Sequence, residues 1–263
     1  MQVISSPHNK IIKDLIALSE KSKFRKQRGL FVIEGKREFE IALKSGYELQ
    51  TAFVQPELLG KPFLLEQLET QSCFEVTTEL YSRIAYRGST EGIVSIFKQK
   101  DHSLTNYKLP ETPPLFLVLE SIEKPGNLGA IFRSADAANI DAVIITEPVV
   151  DLYNPNCLRS SLGCVLSIPS IVCETKELQL FFKKHQIQSF AATLQNANSY
   201  LEQNYTSPTA FIVGSEAKGL KNFWRENATQ NIVIPMRGAI DSMNVSVAAS
   251  ILLFEAIRQR NSL

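Results

Sequence analysis

An almost wholly apolar run, Leu115-Phe-Leu-Val-Leu119, constrains the fold of this chain more than any other stretch. A strand that is apolar at every position is typical of a parallel sheet covered on both faces. Further apolar segments at 142–146, 188–193, 210–213 and 231–234 alternate with segments of helical periodicity. This alternation predicts an α/β fold class with an open parallel sheet in the second half of the chain.

The first hundred residues predict a separate, smaller α/β unit. Its expected strands lie at 30–33, 49–54, 73–76 and 91–97, and its expected helices at 9–20, 35–43, 62–69 and 77–85. Residues 98–114 then contain three prolines and few apolar side chains, which is typical of a linker. We therefore expect a domain at 1–100, a linker at 101–114 and a second domain at 115–263.

Within the second domain, helical periodicity predicts helices at 128–139, 155–161, 174–185 and 244–260. The remaining short apolar segments, 165–168 and 170–173, favour strands. Neither domain shows an internal repeat.

Charge is distributed unevenly along the chain. The net charge is only +1, yet residues 1–28 hold seven lysines and arginines against Asp14 and Glu20. The Lys21–Arg28 run is too charged to be core. A basic end on a near-neutral body indicates contact with a polyanion, and a solvated amphipathic helix explains the same residues equally well.

The four cysteines form no C-x-x-C pair and the three histidines are scattered, so the sequence predicts no metal site. No apolar run approaches the 18 residues that a membrane helix needs, and no secretory signal is present. We therefore expect a cytoplasmic protein without membrane contact, or an organellar one whose presequence is absent from this sequence.

Three glycine-bearing loops follow strands of the second domain, at 125–133, 213–220 and 234–244. Ligands of open α/β sheets bind at the carboxyl ends of strands, where these loops lie. Arg133 is placed one turn past Gly129 and could grip a phosphate, although an isolated helical arginine is more often simply exposed. None of the loops has the glycine pattern of NAD sites or of the Walker A motif.

Taken together, the three loops resemble the ordered motifs of the SpoU/TrmH family of RNA ribose 2′-O-methyltransferases, of the SPOUT class. The first match is Asn127-Leu-Gly-Ala-Ile-Phe-Arg133, and the second is Ile212-Val-Gly-Ser-Glu-Ala-Lys-Gly219. The third is Ile234-Pro-Met-Arg-Gly-Ala-Ile-Asp-Ser-Met-Asn-Val-Ser-Val-Ala248. The first half, with Phe31-Val-Ile-Glu-Gly-Lys-Arg-Glu38, is similar to the family's L30e-like substrate-binding domain.

This resemblance implies a trefoil-knotted C-terminal domain that binds S-adenosyl-L-methionine. It also implies a homodimer through that domain, with the apolar C-terminal helix buried against the core and the partner. The cofactor-binding residues that it implies are Leu194, Gly214, Ile234, Met236, Met243 and Asn244.

The polar residues that match the family's catalytic set are Arg133, Asn127, Glu216, Ser242 and Asn244. The family account makes Arg133 the residue that activates the ribose 2′-hydroxyl. A guanidinium is normally fully protonated, so we favour a role in which Arg133 clamps a phosphate and stabilises developing alkoxide charge. Asn127 would support Arg133 or the ribose, and Ser242 and Asn244 would orient the nucleotide.

The sequence thus predicts methyl transfer from S-adenosyl-L-methionine to a ribose 2′-hydroxyl of structured RNA, with ribosomal RNA favoured over tRNA. A second hypothesis is a non-catalytic RNA-binding or ribosome-assembly factor that kept the fold. A third, a small-molecule enzyme on an ordinary doubly wound sheet, has no glycine fingerprint in its favour.

Overall fold

A computed structural model describes residues 1–60, 73–85 and 91–261 of the chain. Contacts divide these residues into two compact units. Unit 1 comprises Met1–Lys100 together with Leu152–Ser167, and unit 2 comprises Asp101–Asp151 together with Ile168–Leu263. The later segment, 152–167, thus packs with the first hundred residues.

Unit 1 is built on a mixed five-stranded sheet in the order β1-β4-β3-β5-β2. Its strands are β1 (Gln2–Ile4), β2 (Leu30–Glu34), β3 (Leu49–Val54), β4 (Cys73–Val76) and β5 (Ile93–Lys98). β5 runs antiparallel to both β2 and β3, whereas β4 is parallel to β1 and β3. The four strands predicted for this region are confirmed, and β1 was not predicted.

Unit 1 has seven α-helices among its described residues. They are α1 (Lys10–Glu20), α2 (Ser22–Arg28), α3 (Lys36–Lys44), α4 (Pro56–Leu59), α5 (Thr78–Ile84) and, from the later segment, α7 (Pro155–Ser160) and α8 (Cys164–Ser167). Asn9 caps α1 by accepting a hydrogen bond from the Ile11 N–H at 3.0 Å. The helix predicted at 62–69 lies outside the described residues.

The prediction that the whole Lys21–Arg28 run stays out of the core is wrong at Arg25. Its side chain is only 2% exposed and donates to the carbonyls of Leu18, at 2.7 Å, and Ser19, at 3.1 Å. These carbonyls end α1 and have no partner inside the helix, so a buried guanidinium satisfies them. Arg25 therefore joins α2 to α1.

The prediction of a strand at 165–168 is also wrong, because α8 occupies this position. Leu162 and Gly163 adopt positive φ angles of 55° and 87°, which turn the chain after α7. The Leu166 N–H then donates to the Gly163 carbonyl at 2.8 Å. A short apolar run does not by its periodicity separate a buried strand from a buried helical turn.

Unit 2 contains an all-parallel sheet of seven strands in the order β10-β12-β9-β11-β6-β7-β8. Its strands are β6 (Leu115–Glu120), β7 (Ala142–Thr146), β8 (Ser170–Cys173), β9 (Gln188–Ala192), β10 (Asn198–Ser199), β11 (Thr209–Val213) and β12 (Gln230–Val233). Every residue of the central strands β6, β7 and β11 is buried. The predicted open parallel sheet is confirmed.

The described residues of unit 2 form four α-helices: α6 (Pro125–Ala137), α9 (Thr175–Lys184), α10 (Asn222–Asn227) and α11 (Val245–Arg260). α6 begins three residues before the predicted start, because Pro125 occupies the first helical position, where its missing N–H costs nothing. Asn127 and Gly129 therefore lie in the helix itself. No helix in the described ranges is long and apolar enough to cross a membrane.

Candidate active site

A cavity of about 360 Å³ lies at the carboxyl ends of β9, β11 and β12. Its walls come from four stretches of the chain, 192–195, 213–220, 232–236 and 241–248, together with Arg225. The second and third glycine-bearing loops, here called loop two (213–220) and loop three (234–244), meet at this cavity. Its volume is within the usual range for a small-molecule site.

Loop two folds back tightly on itself at Gly214. A Cβ on Gly214 would lie 2.2 Å from the carbonyl carbon of Gly219 and 2.4 Å from the nitrogen of Leu220. The turn is closed by the Gly219 N–H, which donates to the Ser215 carbonyl at 2.9 Å. Only glycine fits at position 214, and backbone atoms form this part of the cavity wall.

Asn127, from the first turn of α6, connects loop two to loop three. Its Nδ2 donates to the carboxylate of Glu216, and its Oδ1 accepts from Nδ2 of Asn244 at 3.2 Å. The second oxygen of Glu216 is buried and has no hydrogen-bond partner among the described residues. Three residues that are far apart in sequence thus form one hydrogen-bonded set beside the cavity, here called the Asn127–Glu216–Asn244 set.

Asn244 has a second role as the N-cap of α11. Its Oδ1 accepts from the Ser246 N–H at 2.9 Å and from the Ser246 hydroxyl at 2.6 Å. Its Nδ2 remains available for Asn127. Asn244 is therefore the cap of α11, whereas Ser242 lines the cavity.

Five of the six residues assigned to cofactor binding from the sequence line the cavity. They are Leu194, Gly214, Ile234, Met236 and Met243. Asn244 is the exception, since it contacts Asn127 instead. Leu194 is 58% exposed and lies at the rim. Their roles stay predictions, but the structure brings these residues together.

Arg133 forms no hydrogen bond with the other predicted catalytic residues. It is exposed on α6, makes no side-chain hydrogen bond within the described ranges, and does not line the cavity. Its neighbour Ser134 is bonded to Ser250 of α11 at 2.7 Å. Arg133 is therefore displayed on the outer surface of the α6–α11 pair.

Sequence reasoning missed several residues at the cavity. Lys218, Arg225 and Gln195 supply polar groups to its walls, and Arg225 donates hydrogen bonds to both Gln195 and Asn222. Lys218 lies within the second motif and could have been proposed from the sequence. Arg225 follows no motif, and only the tertiary structure brings it to the site.

Residues 114–254 match the model of the SpoU rRNA methylase family, which is more than half of the chain. The chain belongs to the SpoU family. Residues 9–95 also match a model described as an MRM3-like substrate binding domain. The family prediction from the three loops is confirmed.

Two curated relatives of this SpoU-family chain align over almost its full length. An uncharacterized tRNA/rRNA methyltransferase of Synechocystis is 32% identical, over 98% of this chain and 94% of the relative. The 23S rRNA (guanosine(2553)-2′-O)-methyltransferase RlmP of Bacillus subtilis is 29% identical, over 97% of this chain and 98% of the relative.

Among solved structures, the SpoU methyltransferase AviRb from Streptomyces viridochromogenes in complex with AdoMet superimposes with a TM-score of 0.88. It is 26% identical, and the match covers 97% of this chain and 100% of AviRb. The predicted fold class is thereby confirmed, and the knotted path of the chain stays a prediction.

Proposed function

We propose that this SpoU-family enzyme transfers a methyl group from S-adenosyl-L-methionine to a ribose 2′-hydroxyl of structured RNA, and that its substrate is ribosomal RNA. The substrate assignment draws on RlmP, whose name specifies ribose 2′-O-methylation of 23S rRNA, and the cofactor assignment on AviRb, which was solved with AdoMet. The observation that carries the proposal is the cavity at loops two and three beside the Asn127–Glu216–Asn244 set.

The residues at the cavity fit S-adenosyl-L-methionine. Gly214 leaves backbone groups accessible, and Ile234, Met236 and Met243 offer apolar surface to an adenosine. When bound, the cofactor supplies a methyl group that its sulfonium already activates. The protein therefore has to align the accepting oxygen and assist loss of its proton.

The Asn127–Glu216–Asn244 set provides polar groups for that work. Glu216 fixes the amide of Asn127, and its second, unpartnered oxygen can accept a hydrogen bond from substrate. A buried acceptor without a partner is costly, so a hydroxyl donor bound there is favoured. Ser242 lies on the cavity wall, where it can orient the ribose.

Arg133 contributes a free positive charge on the surface. A guanidinium forms paired hydrogen bonds with phosphate oxygens and stays protonated. We assign it to the phosphate next to the target ribose, where it also stabilises developing negative charge on the 2′-oxygen.

The basic surface of α1 and α2 suits the RNA. Lys10, Lys13, Lys21, Lys23 and Lys26 are exposed and form no ion pair within the described ranges, whereas Arg28 is paired with Asp14 at 3.2 Å. This surface lies in the region that matches the substrate-binding family model. Lysines of this kind position folded RNA through its phosphates.

A homodimer through unit 2 completes the proposal. Val247 and Phe254 lie two turns apart on α11 and are 49% and 47% exposed. The apolar C-terminal helix was expected to be buried against the core and the partner, and its Ala249 and Leu252 are fully buried in the chain's own core. We place the dimer contact on the Val247–Phe254 face, and the enzyme in the cytoplasm.

The proposal is tested by incubating the protein with methyl-labelled cofactor and total RNA that lacks this modification. We expect label in ribosomal RNA at one nucleotide, detected as resistance of the adjacent bond to alkaline cleavage. Label confined to tRNA would favour the tRNA alternative. Cofactor binding without label in any RNA would favour the non-catalytic factor.

A further inference from the structure

A second cavity of unit 2, of about 450 Å³, lies at the carboxyl ends of β6 and β7. It adjoins the cofactor cavity along loop two, because both cavities are lined by Ser215, by Lys218–Leu220 and by Arg225. No role in the reaction has been assigned to it above. We call it the β6–β7 cavity.

Glu120, the last residue of β6, lines the β6–β7 cavity and is only 1% exposed. Its Oε2 accepts a hydrogen bond from the backbone N–H of Lys221 at 2.7 Å. Because Lys221 follows loop two directly, this bond fixes the far end of the loop. Glu120 is the only charged residue in a strand that is otherwise apolar.

The other oxygen of Glu120, Oε1, is buried and has no hydrogen-bond partner in the described part of the chain. The hydroxyl of Thr146, the register partner of Glu120 on β7, is likewise buried without a partner. A buried acceptor of this kind costs free energy unless a donor reaches it. Two buried polar atoms at the ends of β6 and β7 thus have no hydrogen-bond partner among the described residues, and of the two residues only Glu120 lines the cavity.

The mouth of the β6–β7 cavity carries charged side chains that are largely exposed. Lys221 is bonded to Glu147, while Glu123 and Lys218 are exposed. Exposed side chains reorient at little cost in free energy, so a ligand can displace them to reach Glu120 inside the cavity. The lining holds three carboxylates, of Glu120, Glu123 and Glu147, and three cationic groups, of Lys218, Lys221 and Arg225, so the cavity is not a simple phosphate site.

We propose that the β6–β7 cavity receives the base of the target nucleotide, with Glu120 Oε1 accepting a hydrogen bond from a base N–H. A carboxylate can only accept, so it selects the N–H edge of a nucleobase over a phosphate. Sequence-specific RNA recognition uses bases that are splayed out and hydrogen-bonded on this edge. The inference rests on the proposed function, since the shared loop-two wall places such a base next to the methyl donor.

The substitution Glu120→Gln tests this assignment without releasing loop two. A glutamine side chain keeps a carbonyl oxygen for the Lys221 N–H, and its NH₂ group then replaces Oε1 at the cavity. The substitution therefore places a hydrogen-bond donor where the wild-type protein has the acceptor Oε1. Glu202→Gln is the matched control, because Glu202 is exposed and lines none of the described cavities.

The first measurement is binding of the four nucleoside 5′-monophosphates by saturation-transfer NMR, with S-adenosylhomocysteine present. We expect at least one nucleotide to bind wild type and the Glu202→Gln variant equally, and to bind Glu120→Gln about tenfold more weakly. S-adenosylhomocysteine itself, measured by calorimetry, should bind all three proteins alike. Absence of nucleotide binding to wild type, or equal binding to Glu120→Gln, overturns the inference.

The second measurement is methyl transfer to unmodified ribosomal RNA. We expect kcat/KM for RNA to fall about tenfold or more in Glu120→Gln while the KM for the cofactor is unchanged. A loss of cofactor affinity would instead show that Glu120 only holds loop two. If wild type methylates no RNA, the proposed function fails, whereas the nucleotide-binding result still decides the role of this cavity.

Discussion

Gly214 and Gly238 are glycines of two loops at the same site, yet only one of them requires the absence of a side chain. A Cβ on Gly214 would collide with the backbone of Gly219 and Leu220, whereas a Cβ on Gly238 would meet nothing within 4 Å. Overpacking of this kind costs about 1–3 kcal/mol. Position 214 therefore requires glycine, whereas position 238 has room for a side chain.

This contrast predicts different outcomes for two identical substitutions. Gly214→Ala should weaken binding of S-adenosylhomocysteine about tenfold or more, because loop two must shift to admit the methyl group. Gly238→Ala should bind it like wild type. Calorimetry of both variants checks the prediction, and equal affinities would show that loop two is not the cofactor wall.

Arg133 supports a second prediction at the level of a single residue. Because it is exposed and has no partner among the described residues, Arg133→Ala should leave the fold and the cofactor affinity nearly unchanged. Methyl transfer should be abolished, since the guanidinium would no longer hold the phosphate. Rate and affinity measured on the same preparation check this, and near-normal turnover would contradict the assignment.

At the scale of elements, Asn244 joins the stability of α11 to the geometry of the site. Its Oδ1 caps the helix, and its Nδ2 donates to Asn127. Asn244→Asp should keep the cap, because a carboxylate accepts the same N–H and is favoured at a helix N-terminus. It should lose the donor to Asn127, so transfer should fall while the melting temperature stays the same.

Asn9→Asp is the matched control for this prediction. Asn9 caps α1 in the same way, with the Ile11 N–H as donor, and lies in unit 1. Both variants should unfold like wild type in thermal scans, and only Asn244→Asp should lose activity. Equal activity of the two variants would show that the bond to Asn127 is not needed.

At the scale of the whole molecule, the exposed face of α11 predicts its state of association. Phe254→Asp should place a charge on the Val247–Phe254 face and convert a dimer to a monomer in sedimentation experiments. Leu180→Asp is the control, since Leu180 is 66% exposed on α9. A wild-type monomer, or a dimer that survives Phe254→Asp, would contradict this interface.

Buried tyrosines predict that the protein loses stability in alkali. Burial raises the pKa of Tyr47, Tyr107 and Tyr205 above the ordinary value, and neighbouring carboxylates raise the pKa of Tyr107 and Tyr205 further. Their neutral forms favour the folded state, so this stability is complete below about pH 10 and is lost as the pH rises further. Urea unfolding at increasing pH measures the loss of unfolding free energy. In Tyr205→Phe the unfolding free energy should fall less steeply with pH. If all three tyrosines ionised near their ordinary pKa while the protein stayed folded, the predicted loss of stability in alkali would be contradicted.

Local patterns in the sequence determined most of the elements. Apolar runs and helical periodicity report which residues are buried within one segment, and they predicted β6, β7, β11 and α11 to within a residue or two. Capping at Asn244 is equally local, because the cap and its donor lie two residues apart. The family resemblance of the second and third motifs also identified Gly214, Ile234, Met236 and Met243, which line the cavity.

Tertiary structure decided what distant segments do to one another. Asn127 and Glu216 are 89 positions apart and meet only because β6 and β11 are neighbours. Tyr153, which the sequence placed in the second domain, packs on Phe31 of unit 1 with ring centroids 4.2 Å apart. Glu120 ends an apolar strand. Its Oε2 accepts a hydrogen bond from the Lys221 N–H, a contact between residues 101 positions apart, and this contact leaves Oε1 without a partner among the described residues. Periodicity carries no information on such pairs, because packing of whole elements selects them.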